Sequence, residues 1–303
     1  MAQYRRPTIC LVFIIILTAT LTGCGSYENI KTPQPVPASL QAAPFSVMTF
    51  NIRLGLGQED PEGKIHLMPW GRNLTAVIEA IRAESPDIVG LQEVAGITQL
   101  QTIAHALDMN YAFEWHQTSS SRLPWWGVGI LSKFPITASR GAEISTGPGN
   151  TRSILITTID TGAGAIAAVS VHKDKDLKDG VSVLKILDET AIEQKPVLLI
   201  GDFNITPNDP RLAPVMAKYI DTAMAVKNEK AKEVLKRGTF YPAKKRIDYV
   251  FAEKQYFTVL DAYLGAKEHR TASDHIAYIT RLTLKKSSQS YPPTLDGERR
   301  RAE

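Results

Sequence analysis

Apolar strands in this chain repeatedly end on polar residues, and that recurrence restricts the fold more than any other feature. The stretch "KPVLLIGDFNITPND", residues 195–209, is the clearest case: an apolar run from Pro196 to Ile200 leads straight into Gly201, Asp202, Phe203 and Asn204. Asn51 closes "MTFNI", Glu93 closes "DIVGLQE" and His172 closes "AAVSVH". Asp248 interrupts "RIDYVF", and Asp274 and His275 of "SDH" precede the last strand. Burying a polar group without a partner costs roughly 1–3 kcal/mol, and a charge costs more. A chain tolerates several such residues only if its strands deliver them to one another, to a metal, or to solvent in one cleft.

Periodicity supplies the strands and helices that do the delivering. "FSVMTFNI", "VGILSK", "RSILITTID", "AIAAVSVH", "PVLLIGDFN", "RIDYVFAEK", "FTVLDAYLG" and "HIAYITRLTL" read as strands. Leu74, Val77, Ile78 and Ile81 keep helical spacing, as do Leu100, Ile103, Ala104 and Leu107 in "ITQLQTIAHALDM". A further helix is expected around Val181 to Ala191. Consecutive strands at some positions and helical crossovers at others predict an α/β domain of mixed sheets covered by helices.

The motifs "TFNI", "LQEV", "GDFN", "RIDYVF" and "SDH", in that order and at these separations, resemble the endonuclease/exonuclease/phosphatase family over Phe45 to about Leu284. That family includes pancreatic-type deoxyribonuclease, apurinic endonucleases, neutral sphingomyelinases and inositol-polyphosphate phosphatases. The resemblance implies a four-layer α/β sandwich, deoxyribonuclease I-like, with two mixed β-sheets face to face and helices outside. It also implies a hydrolase of phosphodiesters or phosphomonoesters. Hard oxygen ligands such as Glu93 suit Mg²⁺ or Mn²⁺, and such a cation polarises a phosphoryl oxygen. By the family's pattern Asn51, Glu93 and Asp274 lie at or near the metal. Asp202 orients or deprotonates the attacking water, and Asn204 donates its amide to a phosphoryl oxygen. His275, held by Asp248, stabilises charge on the transferring group, while His172 is a second imidazole against the phosphate or an acid for the leaving group.

Singly, these residues also have plainer readings. Asp202 and Asn204 suit a turn and helix cap, Asp274 a loop cap, Asn51 a strand closure, His172 a structural histidine, and Asp248 a surface ion pair with Arg246. Arg152 in "NTRSILI" is expected either to clamp a phosphate or to sit on a strand edge. Leu123, Trp125 and Trp126 suit an apolar lip binding substrate beside the cleft, or else one indole in the core and one over a loop. Arg53 departs from the apurinic-endonuclease pattern, which has a carboxylate two residues after Asn51, and this weakens a DNA-repair reading.

The ends of the chain speak to location. Arg5 and Arg6 precede an apolar run from Ile9 to Leu21, shorter than the roughly 20 residues of a spanning helix, so residues 1–23 read as a signal peptide. "LTGC" resembles the lipobox of bacterial lipoproteins, which implies lipidation at Cys24; by the same resemblance Gly25, rather than Asp, after the Cys favours the outer membrane, facing the periplasm, in a Gram-negative cell. Only Cys10 and Cys24 are present, so a chain starting at Cys24 has no thiol left to pair. Residues 24–44, rich in Pro and Ala, read as a flexible tether, 45–284 as the folded domain, and 285–303 as a polar disordered tail.

The chain carries a formal net charge of +4, but Phe45 to Leu284 holds 27 Lys plus Arg against 27 Asp plus Glu. A near-neutral domain argues against a general duplex-DNA binder. The leading expectation is a lipid-tethered, metal-dependent phosphoesterase acting on a phospholipid headgroup or small phosphoester, with membrane contact through the anchor and no obligate protein partner. The alternatives are a secreted nuclease acting on DNA or RNA and a non-catalytic binding protein on the same scaffold.

Overall fold

The computed structural model describes residues 27–29, 43–57, 73–116, 126–144, 152–173, 185–189, 195–241 and 244–285, and among these residues it has thirteen strands and six α-helical segments. The signal segment, Cys24, Leu123, Trp125 and residues 286–303 of the tail lie outside the described residues. The strands are β1 (Tyr27–Asn29), β2 (Phe45–Asn51), β3 (Ile88–Val94), β4 (Asn110–Trp115), β5 (Gly127–Ser132), β6 (Ile136–Glu143) and β7 (Ser153–Asp160). They continue with β8 (Ala165–His172), β9 (Val197–Asp202), β10 (Tyr219–Asp221), β11 (Asp248–Glu253), β12 (Phe257–Leu264) and β13 (Tyr278–Leu284). Helices α1 (Leu74–Glu84), α2 (Ile97–Leu107), α3 (185–189), α4 (Ala213–Lys218), α5 (Thr222–Ala225) and α6 (Glu229–Arg237) connect them.

One sheet has the order β1-β4-β5-β3-β2-β13-β12 and the other β10-β11-β9-β8-β7-β6. Among the described residues β2–β3 and β8–β9 pair in parallel and the other pairs are antiparallel, so both sheets are mixed. β1, within the segment read as a tether, is docked antiparallel on β4.

Side-chain alternation along each strand sorts the apolar residues into three layers. On β9, Leu198 and Ile200 join Val47, Ile88 and Ile130 between the sheets, while Leu199 faces outward to Ile186 of α3 and Val215 of α4. On β2, Met48 and Phe50 face the opposite outer layer, against Val77 and Ile81 of α1 and Leu100 and Ile103 of α2. Burying each such side chain contributes roughly 1.5–3 kcal/mol. The result is helix, sheet, sheet, helix, the expected four-layer sandwich. The sheets approach closely at Gly90, where a Cβ would meet Ile200 Cγ2 at 2.5 Å.

Several elements were not anticipated, namely β1, β4, β6, β10, α4, α5 and α6, and three of them show why. β6 is an edge strand whose residues after Ile136 are mostly exposed or half-buried. β4 follows α2 with only Asp108 and Met109 between them. α6 buries only Ala231 and Val234, and Asn228 caps it by accepting the Ala231 N–H. Among the described residues no helix is long and apolar enough to cross a membrane.

Candidate active site

The alternation that places Val47, Ile166, Ala168, Leu198, Ile200 and Val250 between the sheets also sets the facing of the same-parity residues at the ends of these strands. Asn51, His172, Asp202 and Asp248 share the parity of these residues on β2, β8, β9 and β11. The inter-sheet layer is therefore apolar in its middle and polar at one end. Beneath the polar end runs a bonded belt: Thr49 Oγ1 donates to Gln92 Oε1 (3.2 Å), Gln92 Nε2 to Ser170 Oγ (3.4 Å), and Ser170 Oγ to the Leu91 carbonyl (3.2 Å). This belt links the two sheets and satisfies groups that would otherwise be buried alone.

Glu93 breaks the alternation. Strict parity with Val89 and Leu91 would send it to the helix-covered face, but the pairing of β3 with β5 shifts between Leu91 and Val94, and Glu93 adopts φ 54°. A non-glycine residue in the left-handed region is uncommon and strained. Here the bulge delivers Glu93 to the same site.

Asn51 joins the two sheets chemically. Its Nδ2 donates to Glu93 Oε1 at 3.0 Å and to Asp202 Oδ2 at 3.2 Å, while its Oδ1 accepts the Arg53 N–H. Asp202 Oδ1 accepts the Asn204 N–H at 2.8 Å, and Asn204, itself at φ 52°, donates from Nδ2 to the Lys173 carbonyl. That bond uses one of the two amide hydrogens and leaves the other for a ligand. His172 Nε2 stands 3.7 Å from Asp202 Oδ2 and 4.0 Å from Glu93 Oε1. His275 Nδ1 lies 2.8 Å from Asp248 Oδ2, and its Nε2 is 3.8 Å from Asp202 Oδ2. Ser273 Oγ donates to the Asn51 carbonyl (2.7 Å), tying the Asp274–His275 segment to β2.

Arg246 does not form the surface ion pair with Asp248 that its sequence position suggested. It is buried and bonds Asp221 through both terminal nitrogens, which frees Asp248 for His275.

Burial and neighbouring charge set the protonation states. Burial raises the Glu93 carboxyl above its usual range, and the nearby Asp274 carboxylate adds to that. Burial, reinforced by Asp248, pushes Asp202 up to about 7. Burial opposes a charged His275, yet the Asp248 carboxylate outweighs it and raises the imidazole to about 10. Burial, with the Arg152 charge, holds His116 and His172 well below the ordinary histidine range. The site thus presents the His275 imidazolium and the neutral imidazole of His172, with neutral His116 behind it, against a group of carboxylates.

Trp126 and Arg152 flank this group. The Trp126 ring packs edge-on against His172 (centroids 5.0 Å) and His116 (5.3 Å), and the Arg152 guanidinium lies 4.2 Å above the indole. His116, missed in the sequence, accepts the Ser153 N–H at Nδ1 (2.9 Å), which makes Nε2 its protonated nitrogen. It follows the end of β4 with the parity of inward-facing Ala112. The signal was present but belonged to a strand that the pattern did not reveal.

Two groupings offer metal ligands. Asp202, Asp248 and His275 have ligand atoms within 4.8 Å of one another. The Asp248–His275 bond engages one of those pairs, and an imidazolium cannot ligate. Glu93 and Asp274 are oxygen donors close enough for one to raise the other's pKa, a repulsion that a hard divalent cation relieves. Arg53 Nε, 3.6 Å from Asp274 Oδ2, offsets part of that charge. Asn51 now turns Nδ2 toward the carboxylates, so it would ligate only with its amide reversed. The donor set fits Mg²⁺ or Mn²⁺.

Comparison with known proteins agrees with this geometry. The profile of the Endonuclease/Exonuclease/phosphatase family matches residues 48–275. No curated protein sequence matches the chain. Among solved structures, an endonuclease/exonuclease/phosphatase from Bacteroides vulgatus superposes with TM-score 0.64 and 20% identity over 80% of this chain and 100% of that one. The mannosyl-6-phosphatase of Bacteroides thetaiotaomicron gives 0.59 and 20%, covering 79% and 99%. D. rerio TDP2, solved with a single-strand DNA product, gives 0.58 and 16%, covering 80% and 99%.

Proposed function

Because the chain belongs to the endonuclease/exonuclease/phosphatase family, whose members are hydrolases acting on phosphoester bonds, we propose that it is a divalent-metal-dependent phosphoesterase that hydrolyses a phosphodiester or phosphomonoester in the cell envelope. One observation carries the reading: side chains of both sheets, Asn51 and Glu93 from one and Asp202 and His172 from the other, meet within 3.0–4.0 Å.

Glu93 and Asp274 would hold the cation, which would supply Lewis-acid polarisation of the phosphoryl oxygen. Asp202, its Oδ1 fixed by the Asn204 amide, takes the proton of the attacking water on Oδ2; a base poised near neutrality suits that task. His275 faces the cleft with a protonated Nε2 and stabilises charge on the phosphoryl oxygens and the leaving oxygen. His172, neutral, donates a hydrogen bond from Nε2, so the acid role considered for it passes to His275. The free N–H of Asn204 and the guanidinium of Arg152 bind phosphoryl oxygens, and Trp126 holds Arg152 in place. Lipidation at Cys24, supported by "LTGC", keeps the enzyme in the envelope.

Purified protein should hydrolyse bis(p-nitrophenyl) phosphate or p-nitrophenyl phosphate with Mg²⁺ or Mn²⁺ and lose this activity in EDTA. Failure on a full panel of phosphoesters with both metals would sink the reading, and cleavage of plasmid DNA would favour its nuclease branch. Cys24→Ser should release the protein from membranes.

A further inference from the structure

A second concavity, of about 660 Å³, lies at the C-terminal end of α6 and is lined by Glu233, Lys236, Arg237, Tyr241, Lys244 and Ile276. Three cations face one anion there, and that anion, Glu233, already accepts bonds from Arg270 at 3.2 and 3.3 Å. Arg237 Nε is buried and has no hydrogen-bond partner among the described residues. Tyr241 is 48% exposed. Lys244 holds φ 49°, a left-handed conformation that a lysine adopts at a cost.

Basic residues in a last helical turn commonly complement the helix dipole, and Lys236 and Arg237 sit in the last turn of α6. That accounts for neither Lys244, the exposed tyrosine nor the buried unpaired nitrogen.

The concavity shares a wall with the catalytic segment. The Tyr241 N–H donates to the Asp274 carbonyl (2.9 Å), Phe240 pairs with His275 and lays its ring 5.0 Å from the imidazole, and Ile276 follows His275 directly. Clustered cations beside an exposed aromatic ring recognise a phosphate attached to a planar base. We propose that this concavity is a substrate subsite for a nucleotide unit, with Lys236, Arg237 and Lys244 on a second phosphate and Tyr241 stacked on its base. The assignment rests on the phosphoesterase reading, because it places that unit next to the ester being cleaved.

The test compares the p-nitrophenyl ester of thymidine 5′-phosphate with the same ester carrying a 3′-phosphate. In the wild type the extra phosphate should lower KM by about tenfold, the scale of one charge-assisted hydrogen bond. Lys236→Glu, exposed on α6 and so compatible with folding, and Arg237→Gln should erase that advantage while leaving turnover of the unphosphorylated ester within about twofold. Tyr241→Ala should raise KM for both esters, and Tyr241→Phe should restore it.

Calorimetry with thymidine 3′,5′-bisphosphate reads the same subsite without turnover, and Lys236→Glu should weaken binding by about tenfold. Equal KM values for the two esters, or bisphosphate binding untouched by Lys236→Glu, would overturn the subsite and leave the phosphoesterase reading standing. Absence of turnover with intact bisphosphate binding would overturn the phosphoesterase reading instead and leave a nucleotide-binding pocket.

Discussion

Asp248 Oδ2 lies 2.8 Å from His275 Nδ1, and both residues are buried. One carboxylate thereby fixes both the orientation and the charge of the imidazole that faces Asp202.

Asp248→Asn removes that charge. His275, held at about 10 by Asp248 against the pull of burial, then loses its proton at lower pH. The turnover rate should fall by about 10²–10⁴, and the alkaline limb of the pH–rate profile should move toward neutrality. A profile with an unchanged alkaline limb would refute the role given to the pair.

Asp202→Asn should abolish turnover and yet stabilise the metal-free protein at alkaline pH. An acid whose folded pKa is raised from 3.8 to about 7 loses folding stability as pH rises through that window, because ionising it is harder in the folded chain than in the unfolded one. Thermal melts in EDTA should place Asp202→Asn above wild type at pH 8, with the gap closing toward pH 4. Wild type that melts higher at pH 8 would contradict this account.

Glu93→Gln tests the cation directly. Manganese binding followed by electron paramagnetic resonance should weaken by at least about tenfold, since even outer-shell partners of a metal site cost 10- to 100-fold. Binding that is unchanged would move the metal to other ligands.

Gly90→Ala should destabilise the fold by about 1–3 kcal/mol, because its Cβ would stand 2.5 Å from Ile200 Cγ2 where the sheets meet. Ile200→Ala in the same chain should recover part of that loss, a coupling readable from a double-mutant cycle in urea. Strictly additive effects would show that the sheets do not touch there as described.

The legible part of the site was the part governed by alternation. Asn51, His172 and Asp202 announce themselves as polar residues ending apolar strands, Asp248 as one interrupting a strand, and the structure gathers all four. Glu93 was read in the same way, as the end of "DIVGLQE", but the left-handed bulge that turns it inward leaves no mark in a period-two pattern. His116 was lost together with β4, and the basic wall of the second concavity together with α6. That helix buries too few apolar residues to stand out from a charged loop. Distance between chain segments is a further limit, as when Arg246 chose Asp221, 25 positions away, over its near neighbour Asp248.

Because four of the site's side chains depend on which way a strand residue faces, their positions are exposed to errors of length more than of chemistry. Deleting or inserting one residue inside β2, β8, β9 or β11 would turn the terminal side chain through half a revolution, onto the helix-covered face, with every residue type still in place. Changes in chain length are therefore tolerable only in the connections between strands, and variation in substrate range has to be written there.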